Sequence, residues 1–158
     1  MTTTRSPDYF VGLVQELRKL PKETEWVEFK ENKANPPEIG EYISALSNAA
    51  AHAGKVYGYL VWGVENETHA VVGTTFSPRQ EKIGNEELEN WLLQRLEPKI
   101  NFRFIEVTVE GQRVVLLEIG RAFRHPVKFQ HEEYIRVGSY KKKLREFPER
   151  ERDLWREL

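Results

Sequence analysis

The run Glu23-Thr24-Glu25-Trp26-Val27-Glu28-Phe29-Lys30 gathers three carboxylates and a lysine on and beside a short β-type stretch. Successive side chains of a strand point to opposite faces. Glu28 and Lys30 therefore share one side while Val27 and Phe29 share the other. The apolar pair is expected to dock on a core, which holds the charged pair on a rigid element. Such a pair can position a metal ion or a phosphate, or it is an ordinary solvated strand face. A second acidic feature, the turn pair Glu65-Asn66, follows an apolar run over 56–64. If that turn and the first strand lie at one end of a sheet, Glu23, Glu25, Glu28 and Glu65 converge. Two or three carboxylates in one cleft hold a hard divalent cation such as Mg²⁺ or Mn²⁺, which polarises a phosphodiester and activates water. The alternative is that these glutamates are simply exposed.

The second candidate is Tyr134-Ile135-Arg136-Val137-Gly138-Ser139-Tyr140-Lys141. Alternation puts Ile135 and Val137 toward a core, with Tyr134 and Arg136 facing the other way. Gly138-Ser139 would end the strand with backbone N–H groups and a hydroxyl, before the cluster Lys141, Lys142 and Lys143. Arginine, backbone amides and hydroxyls are usual phosphate partners, and Tyr134 or Tyr140 can stack on an unpaired base. The chain as a whole is near neutral, with 24 basic and 25 acidic residues. Between 120 and 146, however, Arg121, Arg124, Lys128, Arg136, Lys141, Lys142, Lys143 and Arg145 face only Glu132, Glu133 and Glu146. Such a strip on a neutral protein suits a face that meets phosphate, or a lysine-guarded sheet edge. The phosphate reading requires these cations to gather in one continuous channel on folding.

Other chemistries lack their apparatus. The chain has no cysteine, which excludes disulfides and thiolate zinc sites and fits a reducing cytosol. His52, His69, His125 and His131 have no zinc-ligand spacing, and no Gly-Lys-Ser/Thr phosphate loop or dinucleotide fingerprint occurs. No apolar run approaches the roughly 20 residues of a membrane helix, and Met1 to Asp8 lacks the apolar core of a signal peptide. A cytoplasmic protein with no membrane partner is the expectation.

The positioning elements follow from periodicity. Asp8–Leu20 is predicted as a helix buried through Phe10, Leu13, Val14 and Leu17, and stopped by Pro21. A strand over 26–30 comes next, then a helix over Glu38–His52 with Ile39, Tyr42, Ile43, Leu46 and Ala50 inward. Asn48, in a run of small residues near its end, is expected to tie the helix to a neighbouring loop. Val56–Val64 is predicted as a central strand buried on both faces, forming a hairpin with His69–Val72. A third helix is expected over Asn85–Leu96, and a hairpin of Phe102–Val109 with Arg113–Ile119 around Glu110-Gly111-Gln112. Short strands near Val127–Phe129 and Glu133–Val137 precede a last helix over Pro148–Leu158, whose Leu154, Trp155 and Leu158 need a cover. The order implies one α/β domain with a mixed, mostly antiparallel sheet and flanking helices.

In that order, several landmarks are similar to one family's signature: Glu23 to Lys30, then Ile43-Ser44-Ala45-Leu46-Ser47-Asn48, then Tyr59-Leu60-Val61-Trp62-Gly63-Val64-Glu65 with Val72-Gly73. Leu96-Glu97-Pro98-Lys99-Ile100 and Tyr134-Ile135-Arg136-Val137-Gly138-Ser139 complete the set. The chain resembles the AlbA_2 domain, also called the Schlafen AlbA-2 or divergent AAA-4 domain, of bacterial transcriptional regulators. The resemblance implies a nucleic-acid-binding α/β module over 21–158, behind an N-terminal helix in 1–20, and commonly followed by further domains. Related Schlafen lobes pair into a groove, and some cleave RNA with three carboxylates and a metal. Carried over, those carboxylates fall on Glu23, Glu28 and Glu65, although the family has an aspartate where this chain has Glu65-Asn66. The Gly-Gly that follows the family's Asn is replaced by Ala49 to Gly54. Some relatives carry an ATP-binding label, for which the residues here offer no nucleotide site.

The preferred reading is a regulatory DNA- or RNA-binding module, acting as a homodimer, with Lys30, Arg136, Ser139, Lys141, Lys142 and Lys143 at phosphates. The alternatives are a metal-dependent ribonuclease using Glu23, Glu28 and Glu65, and an interaction or dimerisation module working through Leu154, Trp155 and Leu158.

Overall fold

The computed structural model describes residues 5–158; residues 1–4 of the expected N-terminal segment lie outside it. In chain order the elements are α1 (Pro7–Arg18), β1 (Val27–Lys30), α2 (Pro36–His52), β2 (Tyr57–Trp62), β3 (Lys82–Ile83) and β4 (Glu86–Glu87). They continue as α3 (Leu88–Gln94), β5 (Leu96–Glu97), β6 (Phe102–Val109), β7 (Gln112–Gly120), β8 (Lys128–Phe129), β9 (Glu132–Val137) and β10 (Tyr140–Lys143). A single 3-10 turn, Leu144–Glu146, leads into α4 (Pro148–Glu157). The first sheet has the order β1-β2-β7-β6 and the second β10-β9-β8-β5, while β3 and β4 form a small hairpin of their own. β1 pairs with β2 in parallel and the other pairings are antiparallel. This is the α/β domain with a mostly antiparallel sheet that the element order implied.

Alternation along β1, β2 and β7 divides two cores. Val27, Phe29, Tyr59, Val61, Val114 and Leu116 pack with Phe10, Val14 and Leu17 of α1. Leu60, Trp62, Val115, Leu117 and Ile119 face the other way, onto Ile39, Ile43 and Leu46 of α2. The α1 helix starts under the Ser6 side chain, which accepts the Tyr9 N–H, and α2 starts under Asn35, which accepts that of Glu38; both are ordinary N-caps.

Two glycines let α2 lie between the sheets. A methyl group on Gly58 of β2 would stand 2.5 Å from the Leu46 carbonyl oxygen, and one on Gly40 of α2 would stand 2.1 Å from the Phe129 ring. Gly58→Ala meets rigid backbone and is expected to destabilise by about 1–3 kcal/mol, the usual range for overpacking. Gly12→Ala, on exposed helix with nothing within 4 Å, is expected to stabilise by roughly 0.5–1 kcal/mol through helix propensity. Urea unfolding of the two variants reads the contrast, and equal midpoints would refute it.

Three expectations need correction. The hairpin of 56–64 with 69–72 is reduced to one bridge, Val64 to Val71, because β1 and β7 already occupy both edges of β2. The helix over Asn85–Leu96 shortens to Leu88–Gln94. Gly84, with φ 64°, and Asn85 form a two-residue turn between β3 and β4, and Leu96 joins β5. The C-terminal helix finds its cover inside the domain, since Leu154 is fully buried and Leu158 packs on the same core, leaving Trp155 exposed.

Candidate nucleic-acid interface

The Glu28 face of β1 is not solvated. Glu28 is 7% exposed, enclosed where β1, α2 and β9 meet. Its Oε2 accepts the Tyr42 hydroxyl at 3.0 Å, and its Oε1 lies 3.7 Å from Arg136 Nη1. Arg136 is 1% exposed, and its Nη1 also donates to the Val27 carbonyl at 2.6 Å. A charge this deep persists only when paired and hydrogen-bonded. Burial, with Glu28 adding to it, pushes the Tyr42 hydroxyl well above its ordinary range, so it stays a protonated donor.

Lys30 and Lys141 flank this centre, their Nζ atoms 4.9 and 4.6 Å from the Tyr42 ring centroid. Each has its own carboxylate, Glu38 at 3.2 Å and Glu41 at 2.5 Å. Burial would raise the Glu38 pKa, but Lys30, Lys141 and Lys33 together outweigh it and the net shift is downward. Glu25 is likewise engaged, its Oε2 accepting the Gly138 N–H at 2.7 Å and its Oε1 the Arg150 guanidinium at 2.9 Å. The Gly138 amide is therefore spent inside the fold and does not point outward.

The carboxylate trio does not assemble. Among the described residues no three His, Asp or Glu side chains stand together as a metal site. The buried oxygens of Glu28 already face a hydroxyl and a guanidinium, which is no place for a divalent cation. Glu23 is exposed and Glu65 half-buried at the surface. These residues do not fit Mg²⁺ or Mn²⁺.

Nor do the cations of 120–146 form one channel. Arg136 is interior and Lys141 is paired. Arg121 donates to the carbonyls of Ala51 and Glu157. Lys143 and Arg145 share Glu132, at 3.8 and 3.3 Å. The register places Lys141 opposite Arg136 and Lys142 opposite Ile135, so consecutive lysines of β10 point to opposite faces. What remains at this edge is Tyr140, 67% exposed, with Lys142 Nζ 5.6 Å from its ring centroid. Ser139 is half-buried beside them and Lys142 is exposed. Among the described residues Lys142 has no salt-bridge partner. Strand β10 itself went unread in the sequence, because three consecutive lysines resemble a solvated tail.

Asn48 has the structural role expected of it. The β8–β9 ladder pairs Lys128 with Glu133 and Phe129 with Glu132, so Val127 and Tyr134 would come next. There the strands part and α2 inserts its side chains. Asn48 Oδ1 accepts the Val127 N–H at 2.8 Å, and its Nδ2 donates to the carbonyls of Val127 and Tyr134 at 3.1 and 2.8 Å. Ser44, one turn earlier, accepts the Tyr134 N–H at 3.0 Å and donates to Val127 O at 2.6 Å.

The family model described as Schlafen, AlbA_2 matches residues 23–145. Among solved structures, the chain is similar to the DIP2311 protein from Corynebacterium diphtheriae, with TM-score 0.53 and 20% identity over 86% of this chain and 26% of that one. It is also similar to the N-terminal domain of an ATP-dependent DNA helicase RecG-related protein from Nitrosomonas europaea, with TM-score 0.51 and 19% identity over 88% of this chain and 89% of that one. The chain thus spans about a quarter of the length of the Corynebacterium protein, and at these identities both likenesses are of fold. No curated protein matches it. No helix among the described residues is long and apolar enough to cross a membrane.

Proposed function

The chain belongs to the Schlafen AlbA_2 family, and from that premise we propose that it is a nucleic-acid-binding module whose contact edge is β10. The carrying observation is the exposed Tyr140 ring with the Lys142 ammonium beside it. An aromatic face for a base and a cation for the adjoining phosphate are the two elements of sequence-tolerant binding to unpaired strands. Ser139 adds a hydroxyl, and Lys143 adds charge shared with Glu132. The similar Nitrosomonas domain comes from a DNA helicase RecG-related protein, which agrees with this reading. Arg136, Lys30 and Lys141 support the edge from inside, through Glu28, Glu38 and Glu41. One such edge is a small footprint, and a homodimer acting as a regulator would present two.

Anisotropy titrations with short single-stranded DNA and RNA over a range of salt test the proposal. Tyr140→Ala is expected to weaken binding by about 1–3 kcal/mol, the range for a lost base stack. Lys142→Ala is expected to weaken it across sequences and to lower the salt slope by about 1. Binding independent of salt, or untouched by both substitutions, overturns the reading.

A further inference from the structure

A cavity of about 650 Å³ opens at the edge of the second sheet opposite β10. Its wall carries Gln94 and Arg95 from the end of α3, Glu97 of β5, Lys99, and the turn residues Gln130 and His131. That turn joins β8 to β9 in two residues, both with left-handed backbone, φ 49° and 72°. Two-residue hairpin turns of this kind favour Asn-Gly, since left-handed backbone costs an L-residue roughly 1–2 kcal/mol. The hairpin demands the backbone shape but not these side chains, which line the cavity instead. Backbone strain of this kind gathers at ligand sites. The Gln130 N–H, donating to the Arg95 carbonyl at 3.0 Å, fastens the turn to the opposite wall.

The cations here are anchored without being neutralised. The Arg95 guanidinium lies 4.3 Å from the Trp91 ring centroid and donates to the Trp91 carbonyl at 3.0 Å. Lys99 Nζ donates to the carbonyls of Leu93 and Leu96 at 2.8 and 3.3 Å. Neither has a salt-bridge partner among the described residues. The lining carboxylate, Glu97, stands opposite Lys128 across the β5–β8 pair.

We infer that this cavity binds a phosphomonoester group, with Arg95 and Lys99 supplying charge and Gln130 and His131 supplying hydrogen bonds. Donors arriving from three chain segments outnumber what one planar carboxylate accepts, and suit the three terminal oxygens of a phosphate. The group can come from a free small phosphomonoester or from the phosphorylated end of a nucleic-acid strand. Because the cavity and the Tyr140–Lys142 pair lie at opposite edges of one sheet, either site can fail without the other.

The test is a titration of the ¹⁵N-labelled full chain with inorganic phosphate, against chloride at matched ionic strength. Saturable amide shifts confined to residues 94–97, 99 and 130–131 are expected, with affinity falling at least tenfold in Lys99→Gln and in Gln130→Ala. Gln130→Ala sits on an exposed turn and serves if Lys99→Gln disturbs α3. A second arm compares 5′-phosphorylated with 5′-hydroxyl trinucleotides, and both with ribose 5-phosphate. Tenfold preference for the phosphorylated trinucleotide over every other probe assigns the source to strand ends; equal binding of ribose 5-phosphate assigns it to small molecules. Shifts no larger than with chloride, spread over the surface, or unchanged in both variants overturn the inference.

Discussion

Glu28→Ala is expected to destabilise the domain by about 3–5 kcal/mol, the cost of leaving a buried charge without its partner. The guanidinium left behind belongs to Arg136, which is 1% exposed and has nowhere to rotate toward water. The substitution also removes the acceptor of the Tyr42 hydroxyl, leaving a buried donor unmatched. Arg136 Nε already has no partner, so little slack remains to absorb the loss. The double variant Glu28→Leu/Arg136→Met removes both charges together and is expected to recover the share owed to the unpaired charge, since apolar replacement of a buried pair is often neutral, while the Tyr42 hydroxyl and the Val27 carbonyl stay without their partners. Urea unfolding of the single and double variants separates the cases. A Glu28→Ala protein as stable as the parent would show that the pair is not held as described. The same result governs how activity assays are read: lost nucleolytic activity in Glu28→Ala would reflect a damaged fold before it identified a catalytic carboxylate.

Asn48→Ala carries the second large effect, about 3 kcal/mol. It strips the Val127 N–H and the Tyr134 carbonyl of buried partners, each worth roughly 1–3 kcal/mol when left unmade. The Val127 carbonyl keeps its bond from Ser44, which limits the damage. Asn48→Asp is expected to be at least as harmful, because it retains the acceptor for Val127 but turns an oxygen toward two carbonyls. Faster amide exchange at Val127 in both variants, with the β6–β7 hairpin unchanged, would locate the effect at the parted strands. Stability within about 1 kcal/mol of the parent in Asn48→Ala, below the usual cost of one unmade buried bond, contradicts this role.

These two sites show how far the chain could be read unaided. Asn48 was legible: a polar residue among alanines on a buried helix needs a nearby backbone partner. The α1 and α2 helices followed from their 3.6-residue stripes, and β6–β7 from alternation about Glu110-Gly111. The fate of Arg136 was not legible, because alternation correctly set it opposite Ile135 but could not say what covered that face. Its partners lie in β1, with Val27 109 residues away in sequence. The carboxylates misled for the same reason. Glu28 and Glu41 are spent on Arg136 and Lys141 of the basic strip and Glu25 on Arg150 of α4, all far away in sequence, while Glu38 pairs with nearby Lys30. The turn at Gly84-Asn85 did carry a hairpin signal, overridden by extending the stripe of Leu88, Trp91 and Leu92 too far back.

Mapping the contact edge tests the central claim most directly. Backbone amide shifts of the ¹⁵N-labelled chain, followed while a hydroxyl-ended single-stranded oligonucleotide is added at low salt, are predicted to concentrate at residues 138–143 and to fade as salt rises. Shifts centred instead on residues 23–30 and 65–66, or none at concentrations where binding is measured, would contradict the account.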